Sequence, residues 1–159
     1  MLDGVWDHGE WASWDEISAQ IEYKEWRVRY PNADLSLVPT FERLIEAAQS
    51  YYQLTGLHLQ VYGDIGELYG AITHGIKLHR NYAQGSDGRL GDHFVEIKTI
   101  TPFKRNDVVE VNLERNFSKL LLVKIDSEFQ VRAKLVDRKL LSKTTGKKLR
   151  LNWQDVLAQ

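Results

Sequence analysis

The sequence predicts a mixed α/β (α+β) domain in which N-terminal helices precede a mixed, mostly antiparallel central sheet with flanking helices. Three observations carry this expectation. Apolar residues recur at helical spacing up to about residue 75, and beyond that point they alternate with polar ones. The 159 residues, with 43% apolar and 27% charged side chains, suffice for one ordinary core. The chain is therefore expected to form a single domain, 1–159, with residues 1–60 as a helical part and 61–159 as the core. Helices first and strands afterwards is the order that such a layered domain requires.

Each element has a local signal. Ser13-Trp14-Asp15-Glu16 has the form of a capping box, a hydroxyl followed three residues on by a carboxylate. Trp14, Ile17, Ile21 and Val28 then follow at helical spacing, and Pro31 ends the segment because the residue before a proline avoids helical angles. A second helix is expected over 38–54, with Phe41, Leu44, Ile45, Ala48 and Tyr52 on one face and Gly56 as its stop. Asp64-Ile65-Gly66-Glu67 signals a third, shorter helix, capped by Asp64, continued by Leu68, Ala71 and Ile72, and ended near Gly75. Period-two stretches at 93–100, 108–113, 120–125 and 129–136 read as strands, with Asp126-Ser127-Glu128 as a hairpin connection between the last two. Residues 147–152 suggest a further strand, and Asn152-Trp153-Gln154-Asp155 the cap of a closing helix. Four of the tryptophans, Trp6, Trp11, Trp14 and Trp26, cluster early and are expected to pack in the core or between helices rather than to stack bases.

Composition excludes several chemistries. There is no cysteine, so disulfides, thiolate zinc sites and cysteine nucleophiles are absent, and a reducing, cytoplasmic location is the expectation. The aliphatic run Leu120–Val123 lies between Lys119 and Lys124, far short of the roughly 20 residues of a membrane span. The start, Met1-Leu2-Asp3-Gly4, lacks the features of a secretory leader. His74, His79 and His93 show no zinc-ligand spacing, and neither a dinucleotide nor a P-loop glycine motif occurs. The net charge of −1 conceals an asymmetry: residues 1–50 carry 4 basic and 10 acidic side chains, residues 101–159 carry 13 basic and 7 acidic. A basic half suits a polyanionic partner, although solvated faces account for such charge equally well.

Chemistry concentrates in residues 84–99. If Gly91-Asp92 is the two-residue turn of a hairpin, Leu90 faces His93, Arg89 faces Phe94, Gly88 faces Val95 and Asp87 faces Glu96. Residues opposite one another, and residues two apart on a strand, share a face, so Asp87, Glu96 and Lys98 project to the same side. Two facing carboxylates repel unless a cation neutralises them, and a magnesium ion accepts such a pair together with waters and a substrate phosphate. A lysine beside them can orient or help deprotonate a water and offset developing charge.

Asp87 followed by Glu96-Ile97-Lys98 on a strand resembles the PD-(D/E)XK nuclease superfamily, the restriction-endonuclease-like fold. The resemblance covers roughly residues 63–136; residues 1–60 have no counterpart in it. Ser86 stands where the family name places a proline. The resemblance implies a metal-dependent nuclease using Mg2+ or Mn2+ and acting on DNA rather than RNA. It implies Asp87 and Glu96 as metal ligands, Lys98 as the residue that positions or activates water, and Glu67, on the preceding helix, as a third acid serving a second metal or a water. A homodimer is implied in the same way. Asp92 is an alternative to Asp87, which is preferred because Asp92 falls at the turn tip.

Each site residue also has a plain structural role open to it: Glu67 as the partner of an Asp64 cap, Asp87 as the start of a turn, Glu96 and Lys98 as a solvent-facing strand pair. Arg80 and Asn81, Lys104 and Arg105, and a basic stretch including Arg138, Lys139, Lys143, Lys147, Lys148 and Arg150 are candidates for backbone phosphate contacts. The second function class is a non-catalytic nucleic-acid-binding or protein-interaction module on the same fold.

Overall fold

The computed structural model describes residues 3–7, 9–80, 85–141 and 145–157. Asn81 and Lys143 lie outside them. The chain opens on a hairpin, β1 (Gly4–Asp7) and β2 (Glu10–Ser13), paired antiparallel. The N-terminal part is thus not wholly helical as expected: the adjacent pairs Val5-Trp6 and Trp11-Ala12 flank Gly9 in two strands of four residues, too short for alternation to stand out. Helix α1 (Trp14–Arg29) starts at the expected capping box, with the Ser13 hydroxyl accepting from the Glu16 N–H and the Ser13 N–H donating to the Glu16 carboxylate. None of its side chains is buried. The expected packing of the early tryptophans is correspondingly overturned for Trp6, Trp11 and Trp14, which are exposed; Trp26 is partly buried against the core.

Helix α2 (Val38–Thr55) and helix α3 (Tyr62–His74) end at Gly56 and Gly75 as the sequence suggests. The start of α3 differs. Val61 is its N-cap, without a side-chain cap, so the helix begins two residues before Asp64 and Glu67 is not a capping partner. Asp64 sits inside the first turn, where a carboxylate is favoured by the helix dipole.

The central sheet has the order β3 (Lys77–Leu78), β4 (Gly88–Leu90), β5 (His93–Ile100), β7 (Lys119–Ile125), β8 (Val131–Asp137). All neighbours are antiparallel except β5 and β7, which run parallel. Between them in sequence, β6 (Val108–Asn112) leaves the central sheet and pairs antiparallel with β9 (Lys148–Asn152) as a separate ribbon. The expected closing helix is a single 3-10 turn, Trp153–Asp155, although Asn152 does cap it through the Gln154 N–H.

Side chains alternate across the sheet, and each face has its own core. Val95, Ile97, Leu121 and Val123 join Ile65, Tyr69 and Ile72 of α3 and Phe41 and Ala48 of α2 in one cluster. Ile100, Leu120 and Leu122 join Val109, Val111, Leu149 and Leu151 of the β6–β9 ribbon in the other. Gly66 brings α3 close to β5: a Cβ built there would lie 2.0 Å from Thr99 Oγ1. Among the described residues, no helix is long and apolar enough to cross a membrane.

Candidate functional site

The β4–β5 hairpin forms in the expected register, with Leu90 opposite His93, Arg89 opposite Phe94 and Gly88 opposite Val95. Gly91 supplies the positive backbone angle (φ 58°) that its turn needs. Asp87, one residue before β4, lies beyond the paired register and is tied to β5 in another way: its N–H donates to the Val95 carbonyl at 3.0 Å, and its Oδ2 accepts from the Ile97 N–H at 2.6 Å. The carboxylate of Asp87 is thereby anchored beside Glu96. Asp92 is fully exposed at the turn and lies 3.8 Å from Arg89.

Glu96 is fully buried, in the middle of the central strand of the sheet. Lys98 Nζ lies 2.9 Å from its Oε1, and Arg115 Nε lies 2.9 Å from its Oε2. Both carboxylate oxygens are thus met by cations, Oε1 by Lys98 and Oε2 by Arg115. Burial pushes the Glu96 carboxyl above its ordinary value, contact with Lys98 pulls it back, and the Asp87 charge adds to the rise. A buried carboxylate in this state is costly without cations close by.

Arg115 is the residue that sequence inspection misses. It lies in the loop between β6 and β7, and its Nη2 reaches Asp87 Oδ1 at 3.1 Å, so one guanidinium bridges both acids of the pattern. Its Nε also faces the Gly85 carbonyl at 3.3 Å. The signal was the parallel pairing of β5 and β7, which sets Val95 against Lys119 and Glu96 against Leu120. The loop that feeds the start of β7 must then arrive beside Glu96, but alternation alone does not announce a parallel pair.

That loop is held from behind by Arg138, at the end of β8. Its Nη1 donates to the carbonyls of Arg115 (3.0 Å) and Phe117 (3.2 Å), its Nη2 donates to the Leu113 carbonyl, and the guanidinium lies 4.5 Å over the Phe117 ring. Arg138 was expected to serve a polyanion; it is instead an internal strut.

Glu67, on α3, is partly buried. Burial raises its carboxyl above the ordinary value, and the charges of Asp87, Asp64 and Glu96 raise it further while Arg115 opposes them. It therefore belongs to the same electrostatic group as the hairpin acids. Among the described residues, no three His, Asp or Glu side chains converge closely enough to form a ready metal cage. Two carboxylates do face one shared cationic position, held by Arg115, and carboxylate oxygens are donors of the hard type that magnesium takes. The residues fit such an ion.

The candidate phosphate contacts divide into two groups. Arg80 and Arg105 are exposed. Lys104 donates to the Val108 carbonyl at 2.6 Å, Lys147 pairs with Glu114 at 2.8 Å and Lys148 pairs with Glu110 at 2.7 Å. Both pairs are on the surface, where such contacts are worth little and exchange readily for other anions. Ser86, at the position of the family's proline, is buried, with its hydroxyl 3.4 Å from His79 Nδ1. Neither the protein-family models nor the curated protein sequences yield a match to this chain.

Proposed function

We propose that the protein is a metal-dependent nuclease of restriction-endonuclease-like fold, hydrolysing phosphodiester bonds in DNA in preference to RNA. The observation that carries this is the junction of Asp87 with a buried Glu96 and its neighbour Lys98 on the central strand, two carboxylates and an ammonium meeting beside partly exposed side chains. A fully buried carboxylate held by two partly exposed cations is costlier to keep than an apolar side chain of similar size.

Asp87 and Glu96 would hold a magnesium or manganese ion, with Glu67 close enough in charge to serve a second ion or a water. Bound there, the ion supplies a Lewis acid for the phosphate and a more acidic water. Lys98, 29% exposed, orients the attacking water and offsets charge on the phosphate as the transition state forms. The Glu67 carboxyl, raised by burial above its ordinary value, is suited to take up a proton. Arg80, Lys104, Arg105, Lys147 and Lys148 contribute backbone contacts without sequence reading. The basic balance of residues 101–159 supports a nucleic-acid partner.

The Arg115 bridge supports a second reading, in which the acids are a structural ion network and the protein is a binding module without a reaction. Cleavage of supercoiled plasmid separates the two. Wild type and Glu96→Gln are compared with magnesium, manganese or EDTA, beside linear and single-stranded controls. Nicking by wild type that both EDTA and the substitution abolish is the expected result; salt-sensitive DNA binding with no cleavage of any substrate by either protein establishes the module.

A further inference from the structure

We propose that Arg115 is the resident counter-ion of the Asp87–Glu96 pair, and that a divalent cation enters the site by exchanging with its guanidinium. The proposal rests on the nuclease reading above, which calls for that cation. Three observations lead to it.

First, the guanidinium takes the position a shared cation would take. It meets Glu96 Oε2 at 2.9 Å and Asp87 Oδ1 at 3.1 Å, one oxygen from each acid. A dication and a guanidinium at such separations repel, so both cannot hold the same two oxygens.

Second, the side chain has a way out while Glu96 does not. The Arg115 side chain is 31% exposed, whereas that of Glu96 is 0% exposed. Exchange therefore requires the arginine to swing toward solvent rather than the strand to open.

Third, the backbone of the loop is fixed without the guanidinium. Arg138 holds the carbonyls of Leu113, Arg115 and Phe117, the Phe117 ring is buried, and the Arg115 N–H donates to the Asn112 carbonyl at 3.3 Å. The side chain can leave and return with no refolding of the loop. In the cation-free state the arginine spares the fold an uncompensated buried charge. Once displaced, its planar fork of donors stays at the mouth of the site, where it suits a phosphate oxyanion.

The direct test is a titration of the 15N-labelled full chain with Mg2+ alone, followed by NMR at the β5 amides and at the Arg115 Nε–H. Binding at the carboxylates moves the amide signals of Glu96 and Ile97. Exchange predicts that the Arg115 Nε–H, protected beforehand, loses its protection as those amides move. Amide shifts with an Arg115 Nε–H that stays protected overturn the proposal and leave the metal reading standing. No shift at either place removes the metal reading and the proposal with it. A second variant adds a magnitude. Arg115→Met should bind Mn2+ about tenfold or more tightly than wild type, because a unit charge this close counts for more than that inside a protein. Asp87→Asn should lose the binding in both backgrounds. Equal or weaker Mn2+ binding by Arg115→Met, with Asp87→Asn still abolishing it, counts against exchange alone.

Discussion

The two faces of strand β5 are built from alternate residues of one eight-residue segment and solve opposite problems. On the helix side, Val95 and Ile97 pack into an apolar cluster with Leu121 and Val123, and the register there is fixed by burial. On the ribbon side, Glu96 and Lys98 interrupt the row that Ile100, Leu120 and Leu122 would otherwise complete, and they depend on Arg115 and Asp87 for their balance. The difference teaches that both faces hold the fold, while the charged residues of β5 interrupt only the ribbon-side core. A one-residue slip would exchange them, so the apolar face also serves as the device that keeps the charged one aimed.

The sharpest way to break this comparison is to alter each face separately. On the charged face, Lys98→Met should lower plasmid cleavage per folded molecule by about 10²–10⁴-fold, the range for a positioned acid–base group, and should also lower the melting temperature by removing a cation from the buried Glu96. If cleavage by the variant matches wild type, the division of labour fails on the face that matters most. On the apolar face, Leu121→Ala empties a fully buried position and should cost about 2–5 kcal/mol in chemical denaturation, while cleavage per folded molecule stays near wild type. A large loss of cleavage at full folding would show the two faces to be coupled.

A smaller effect comes from pH. The carboxyls of Glu67 and Glu96 are raised in the folded protein, chiefly by burial, so the folded state binds protons more tightly than the unfolded chain. Their contribution is fully present below the ordinary carboxylate value and is lost as pH rises through the raised ones. The cation-free protein should melt lower above the raised carboxyl values than below the ordinary one, and Glu67→Gln should flatten that slope. A slope unchanged by the substitution would place the effect elsewhere. Smallest of all, and far from both faces, Ser13→Ala should cost about 1 kcal/mol by removing the cap of α1, seen as a loss of helical signal without change at β5.

Much of this was legible in the sequence because it is local. The capping box at Ser13, the glycine stops at Gly56 and Gly75, the bounds of β5 and the hairpin register up to Gly88 opposite Val95 each depend on a handful of neighbouring residues. What escaped is set by distant partners. Nothing near Arg115 says that β7 will lie parallel to β5, and nothing near Val108 says that β6 will leave the sheet for β9. The N-cap of α3 was misassigned because Asp64 and Glu67 have cap spacing, whereas the helix is extended backward by Tyr62, which is buried in the core. Tertiary packing outweighed the local signal there. The early tryptophans misled in the opposite sense, being apolar by composition and yet exposed.

The strut formed by Arg138 has a consequence in time as well as in space. The acids of the hairpin, the loop that neutralises them and the arginine that steadies the loop come from three separated stretches of chain, around residues 87–98, 113–117 and 138. Pairing of the hairpin needs only near neighbours, whereas the loop that brings Arg115 to its acids is braced by Arg138 only once β8 has docked. Completion of the site therefore depends on the docking of β8, and a chain cut before β8 would hold its two carboxylates without the Arg138 brace on the loop that neutralises them.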